Sequence, residues 1–196
     1  AAGRQAPSPR PGWPCRRLAA YQARANTHLD DIILHHYPQS PVSEKVRVAF
    51  GLKNITWRSV IIPRLPPKPD LMPLTGGFRR APVMQIGADI FCDSQCILRA
   101  LERRFPEPSF FSEGESGLIW SLSRWTDGAL LDMAVRLVLG STADSLSEDF
   151  ARDRGRLYLG PEQTVQDLKG DLPHLVAQLR AAFFWLESSL QKSGAF

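Results

Sequence analysis

Apolar and polar positions change period several times along the chain. Ile32-Ile33-Leu34 running into His35-His36-Tyr37 is a short apolar, β-rich segment and reads as a buried strand. Pro38 and Pro41 interrupt it. Ser40 followed by Pro41 has the form of a helix N-cap with proline at the first helical position. Val42, Val46, Ala49 and Phe50 then recur at helical spacing, and Gly51 is expected to close that helix. Thr56 to Ile62 reads as a second strand. Pro63, Pro66, Pro67, Pro69 and Pro73 leave room for at most a short helical turn. Val83–Ile86 and Asp89–Cys92 flank Gly87-Ala88, a hairpin signature. Asp93-Ser94 opens a helix that turns Ile97, Leu98 and Leu101 inward. Arg103 and Arg104 lie in its last turn, where cations suit the helix dipole, and Phe105-Pro106 ends it.

The order is therefore β-α-β, a loop, then β-β-α. A crossover helix makes the first two strands parallel, and the hairpin makes the last two antiparallel. This is a thioredoxin-like α/β domain, expected over residues 30–108. Beyond it, Leu118, Leu122, Trp125, Leu130 and Met133 give one long helical pattern, and Leu172, Leu175, Val176, Leu179, Phe183 and Leu186 a second. Residues 115–196 read as an all-α domain.

Composition adds one correction to this picture. The 196 residues carry 24 Lys plus Arg against 20 Asp plus Glu, a net charge of +4, with a pI near 9.2. Such a balance suggests an acidic partner such as nucleic acid. Residues 1–29, however, hold Arg4, Arg10, Arg16, Arg17 and Arg24 and no acid; the remainder has a net charge of −1. The basic surplus belongs to a Pro- and Arg-rich leader, read as a disordered segment. A mitochondrial transit sequence is the weaker alternative, and a nucleic-acid-binding arm the weakest. Residue 1 is Ala rather than Met, which leaves the start of the chain open. No apolar run approaches the roughly 20 residues of a membrane span. Three cysteines, Cys15, Cys92 and Cys96, make no disulfide framework, so a reducing, cytoplasmic setting is expected. Cys92 and Cys96 lack further ligands for zinc and are read as buried structural thiols. His35 and His36 are read as structural, and Arg152, Arg154 and Arg156 as a solvated helix face.

Four features coincide in order and spacing: Ser40-Pro41-Val42-Ser43 at a strand-to-helix turn, Ala81-Pro82-Val83 before the hairpin, Asp93-Ser94 opening the next helix, and Phe105-Pro106 after it. Together they resemble the amino-terminal domain of the glutathione S-transferase family over residues 32–108. The resemblance implies that glutathione is the cosubstrate, with no metal or prosthetic group. It implies that Ser40 activates the thiol, with Ser43 as the competing hydroxyl. Ser40 stands where relatives with a Cys-x-x-Cys motif carry the first cysteine, so disulfide exchange at this site is not expected. Pro82 resembles the family's cis-proline, and Ala81, Pro82 and Val83 would face the cysteinyl unit. Ser94 and its backbone N–H would bind the γ-glutamyl carboxylate, Asp93 would help orient this end, and Arg80 or Arg79 would reach the glycyl carboxylate. The partner is a small apolar electrophile, bound in the crevice between domains, with Trp120 and Trp125 as wall candidates. A homodimer is the implied assembly. The chain stops where the family continues with a buried capped helix, so the second domain is expected to be incomplete. A non-catalytic binding or regulatory protein on the same fold is the alternative function.

Overall fold

The computed structural model describes residues 31–111 and 116–193; the leader lies outside the described residues. Four strands form one sheet in the order β2-β1-β3-β4. They are β1 (Ile32–His36), β2 (Arg58–Ile61), β3 (Val83–Ile86) and β4 (Asp89–Cys92). β1 pairs parallel with β2, Ile33 opposite Arg58, and antiparallel with β3, Leu34 opposite Met84. β3 and β4 form the expected hairpin, with Gly87 at φ +58° in its turn. This is the thioredoxin-like α/β arrangement.

Helices α1 (Pro41–Leu52) and α3 (Ser94–Arg104) cover one face of the sheet; α2 (Met72–Thr75) is a single turn in the proline-rich loop. Leu34 and Met84 of the sheet, Val46 and Phe50 of α1, and Ile97 and Leu101 of α3 meet in one buried cluster. Ile62, Leu71 and Val83 form a smaller cluster, with Tyr37 and Phe78 packed on it. Gly51 does not close α1. The helix runs through Leu52, and Asn54 takes the left-handed position at φ +53°. Asn54 N–H donates to Gly51 O and Ile55 N–H to Phe50 O, the paired bonds of a Schellman ending.

His35 and His36 are both buried. Burial, then the Arg47 guanidinium, lowers the His36 pKa. The neutral ring accepts from Arg47 at Nδ1 and donates from Nε2 to Ser59 Oγ at 2.8 Å. Cys96 departs from expectation: it is exposed, and only Cys92 is part-buried.

The second half is helical. α4 (Ser116–Trp125) continues through a π-helical stretch, Thr126–Leu130, into α5 (Leu131–Ser141). The sequence pattern anticipates this span as one regular helix; the π stretch is where it departs from that. α6 (Glu148–Tyr158) follows, then the long α7 (Leu168–Ser193). Leu139, Ala143, Val165 and Leu168 are the buried centre of this layer. Gly140 is the point of closest approach. A Cβ there would stand 2.9 Å from Leu168 Cβ and 3.2 Å from the Leu168 carbonyl carbon. Glycine costs a helix interior about 1 kcal/mol relative to alanine, so its gain here is the close α5–α7 crossing. Gly140→Ala is expected to lower stability by about 1–3 kcal/mol through overpacking, read as a lower midpoint in chemical denaturation.

Candidate functional site

The strand register brings three turns to one end of the sheet. His35 of β1 lies opposite Val83 of β3, and Val83 opposite Cys92 of β4. Because β3 is antiparallel to both neighbours, β1 and β4 end where β3 begins. The segment 37–40, the Ala81-Pro82 unit and the Asp93-Ser94 turn therefore emerge side by side. They border a cavity of about 1020 Å³ whose opposite wall comes from α5 and α6.

Ser40 lines this cavity and is the N-cap of α1. Its Oγ accepts the Ser43 N–H at 3.1 Å. A hydroxyl has one proton to donate and two lone pairs. The acceptor side is thus used by the helix, while the proton has no acceptor among the described residues. Ser43, the competing hydroxyl, is 0% exposed, does not line the cavity, and its Oγ has no hydrogen-bond partner among the described residues. Val83 is likewise buried in the sheet and does not line the cavity. The bond between Ala81 and Pro82 is cis, and both residues line the cavity.

Asp93 caps α3, its Oδ1 accepting the Gln95 N–H at 2.8 Å. It does so at φ +77°, a conformation that costs an L residue about 1–3 kcal/mol. Ser94 follows, buried, with Oγ 3.3 Å from Asp127 Oδ2. Asp127 sits in the π-helical stretch and lines the cavity. The same Oδ2 accepts from Lys45 Nζ at 2.6 Å and Gln95 Nε2 at 2.7 Å, which ties α1 and α3 to the helical domain.

A basic cluster faces this from the other side. Arg79 donates to Asp153 Oδ1 at 2.7 Å, so it is committed, while Arg80 lines the cavity exposed, with no carboxylate partner among the described residues. Arg154 is 8% exposed, which corrects the expectation of a solvated helix face. It bonds Asp153 and the Arg64 carbonyl, both at 3.1 Å. Lys68 is 5% exposed, lines the cavity and has no carboxylate partner among the described residues. Burial lowers its pKa, and the charges of Arg154 and Arg79 lower it further. Sequence reasoning missed Lys68 and Asp127, because neither carries a local signal; only tertiary packing brings them to the cavity. Trp120 packs on the sheet core, and neither it nor Trp125 lines the cavity. The Cys92 thiol is raised by burial, with Cys96 and Asp93 adding to it, so it is no ready nucleophile. Among the described residues no cluster of three or more His, Cys, Asp or Glu is placed to hold a metal, and no helix is long and apolar enough to cross a membrane.

Comparison with known proteins matches this geometry to a family. Residues 34–109 match the family model of the glutathione S-transferase N-terminal domain. A GST-like protein from Pseudomonas syringae is 34% identical, over 84% of this chain and 50% of that one, with a TM-score of 0.59. The chain thus spans about half the length of that relative. The Tau class glutathione S-transferase MiGSTU from mango, Mangifera indica, is 13% identical over 84% of this chain and 64% of its own, with a TM-score of 0.60. The beta-etherase LigF from Sphingobium is 14% identical over 82% and 74%, with a TM-score of 0.61. The last two share the fold alone. No curated protein matches the sequence. With its thioredoxin-like sheet and cavity-facing turns, residues 34–109 form a glutathione S-transferase-like N-terminal domain, followed by a helical second layer.

Proposed function

We propose that the chain binds glutathione in this cavity and presents its sulfur as a thiolate to a small electrophile. The observation that carries the reading is the Ser40 hydroxyl: its proton is free, it faces the cavity, and it stands at the N-terminus of α1. A free thiol with pKa near 8.5 is only a few per cent ionised at neutral pH. Each unit of depression requires about 1.4 kcal/mol of preference for the anion. A hydrogen bond to a charged acceptor contributes about 1.5–3 kcal/mol and a helix N-terminus about 0.3–1 kcal/mol. Together these suffice to bring the thiol to a pKa near 6–7, where the thiolate is abundant.

The rest of the cavity suits the rest of the tripeptide. The α3 N-terminus offers the Ser94 hydroxyl and backbone N–H to the γ-glutamyl carboxylate, while Asp93 caps the helix and orients this end. The Asp127 carboxylate, whose Oδ2 already accepts from Lys45, Ser94 and Gln95, would offer its Oδ1 to the α-ammonium group. Lys68, with Arg80 beside the Ala81-Pro82 unit, offers a counter-charge to the glycyl carboxylate. Ala81 would pair its backbone with the cysteinyl unit as a short added strand. The electrophile would lie against the apolar wall of the helical domain, which includes Val135, Leu139 and Leu157.

The test is turnover by the purified chain of chlorodinitrobenzene with glutathione. The expected result is a rate that saturates in glutathione and exceeds the uncatalysed rate at neutral pH. Saturable glutathione binding without turnover would instead favour a non-catalytic binding protein, and no binding at all would overturn the reading.

A further inference from the structure

The cavity carries more positive charge than glutathione needs. Among the described cations that line it, Arg79 is paired with Asp153, and Arg154 shares that carboxylate. Arg64, Lys68, Arg80 and Arg124 have no carboxylate partner. The acids that line the cavity are already engaged: Asp127 with Lys45, Asp132 with Arg136, and Asp93 with the Gln95 N–H. The carboxylates of glutathione number two. One belongs at the α3 N-terminus, in reach of the α4–π segment that carries Arg124 and Asp127. The other belongs with Lys68 and Arg80 beside Ala81-Pro82. Arg64 is left over.

Arg64 is also the cation most closely joined to the apolar wall. Its Cζ stands 4.4 Å from the Phe150 ring centre and 6.0 Å from that of Tyr37. Arg154 Cζ lies 4.7 Å from the same Phe150 ring. A guanidinium on a ring face keeps its in-plane N–H fork free, the geometry that grips a planar carboxylate in two-point fashion. The Tyr37 and Tyr158 rings line the same end. Burial, with Tyr37 beside it, pushes the Tyr158 hydroxyl up, so it stays protonated and able to donate.

We propose that the acceptor is an aromatic or otherwise apolar electrophile that itself carries a carboxylate, and that Arg64 holds this group beside Phe150. The proposal rests on the glutathione-conjugating reading above. With an aryl chloride, the sulfur–carbon bond forms and the carbon–chlorine bond breaks; chloride leaves with the electron pair, and nothing is oxidised or reduced.

The experiment compares chlorodinitrobenzene with chlorodinitrobenzoate, matched in leaving group and nitro positions, for the wild-type chain and Arg64→Gln. Glutathione binding is titrated separately by calorimetry. The expected result is that kcat/KM favours the carboxylated acceptor at least about tenfold, the reach of one charge-assisted bidentate contact. In Arg64→Gln that preference ratio collapses toward one, while both proteins bind glutathione alike. A wild-type ratio of one or below, or an unchanged ratio in the variant, overturns the proposal and leaves glutathione conjugation standing. If neither acceptor turns over although glutathione binds, the two preformed glutathione conjugates are compared by calorimetry. Tighter binding of the carboxylated one, lost in Arg64→Gln, supports the proposal, and equal binding overturns it. Failure of the glutathione titration itself overturns both readings.

Discussion

Ser40→Ala is expected to lower kcat/KM for the proposed conjugation about a hundredfold, the loss typical of removing one preorganised donor to a developing or resident anion. The variant keeps the α1 N–H dipoles but loses the Ser40 proton proposed to reach the sulfur. It also loses the cap to the Ser43 N–H, worth about 1 kcal/mol of stability, so folding is checked by its thermal midpoint. Ser43→Ala is the internal control. Its hydroxyl is buried, unpartnered and away from the cavity. Its removal leaves turnover within about twofold of wild type and, by deleting an unsatisfied polar group, does not lower stability. Equal losses in the two variants would show that the helix start, not the Ser40 proton, matters.

Lys53→Met has the largest expected effect on stability. The Lys53 ammonium is enclosed between the Glu102 carboxylate at 2.5 Å, the Pro108 carbonyl at 2.8 Å and the Phe110 ring at 4.2 Å. Removing it strands Glu102. A fully buried orphan costs about 3–5 kcal/mol. Glu102 is 19% exposed and keeps the Ser109 hydroxyl and the Phe110 N–H, so about 2–3 kcal/mol is expected. The loss depends on pH. Burial alone would raise the Glu102 pKa, but the Lys53, Ser109 and Phe110 hydrogen bonds and the Lys53 charge outweigh it and lower the pKa. A carboxyl whose folded pKa lies below its unfolded value, near 4.3, contributes stability above that value and loses it as pH falls through the folded pKa. The gap between wild type and Lys53→Met is therefore widest at neutral pH and narrows in acid. A gap independent of pH would assign the stabilisation to packing of the lysine stem instead. Adding Glu102→Leu to Lys53→Met is expected to recover most of the loss.

What the sequence made legible was governed by local rules. The Ser40-Pro41 cap, the hairpin about Gly87 and the Asp93-Ser94 helix start are short-range signals, and each stands where the pattern put it. Their order then placed Ser40, Ala81, Pro82 and Ser94 at one end of the sheet. What escaped depends on contacts between distant segments. Lys68 lies in a proline-rich loop with no periodicity, and its burial near Arg154 and Arg79 comes from residues distant in sequence. Asp127 faces the cavity from a π-helical stretch, which a regular helical period cannot anticipate. Arg154 alternates with acids like any solvated helix face, yet Asp153, Phe150 and the Arg64 carbonyl enclose it. Gly51 has the usual residue type for a helix end, but Asn54 takes the left-handed position because Ile55 can then bond back to Phe50.

The proposed role of Ser40 is to lower the pKa of a bound glutathione thiol. The direct measurement is the ultraviolet thiolate absorbance of the protein–glutathione complex, titrated with pH for the wild type and Ser40→Ala. The expected wild-type midpoint is near 6–7, and the variant midpoint returns toward the free-thiol value of about 8.5. A wild-type midpoint at the free-thiol value, with glutathione demonstrably bound, would contradict it.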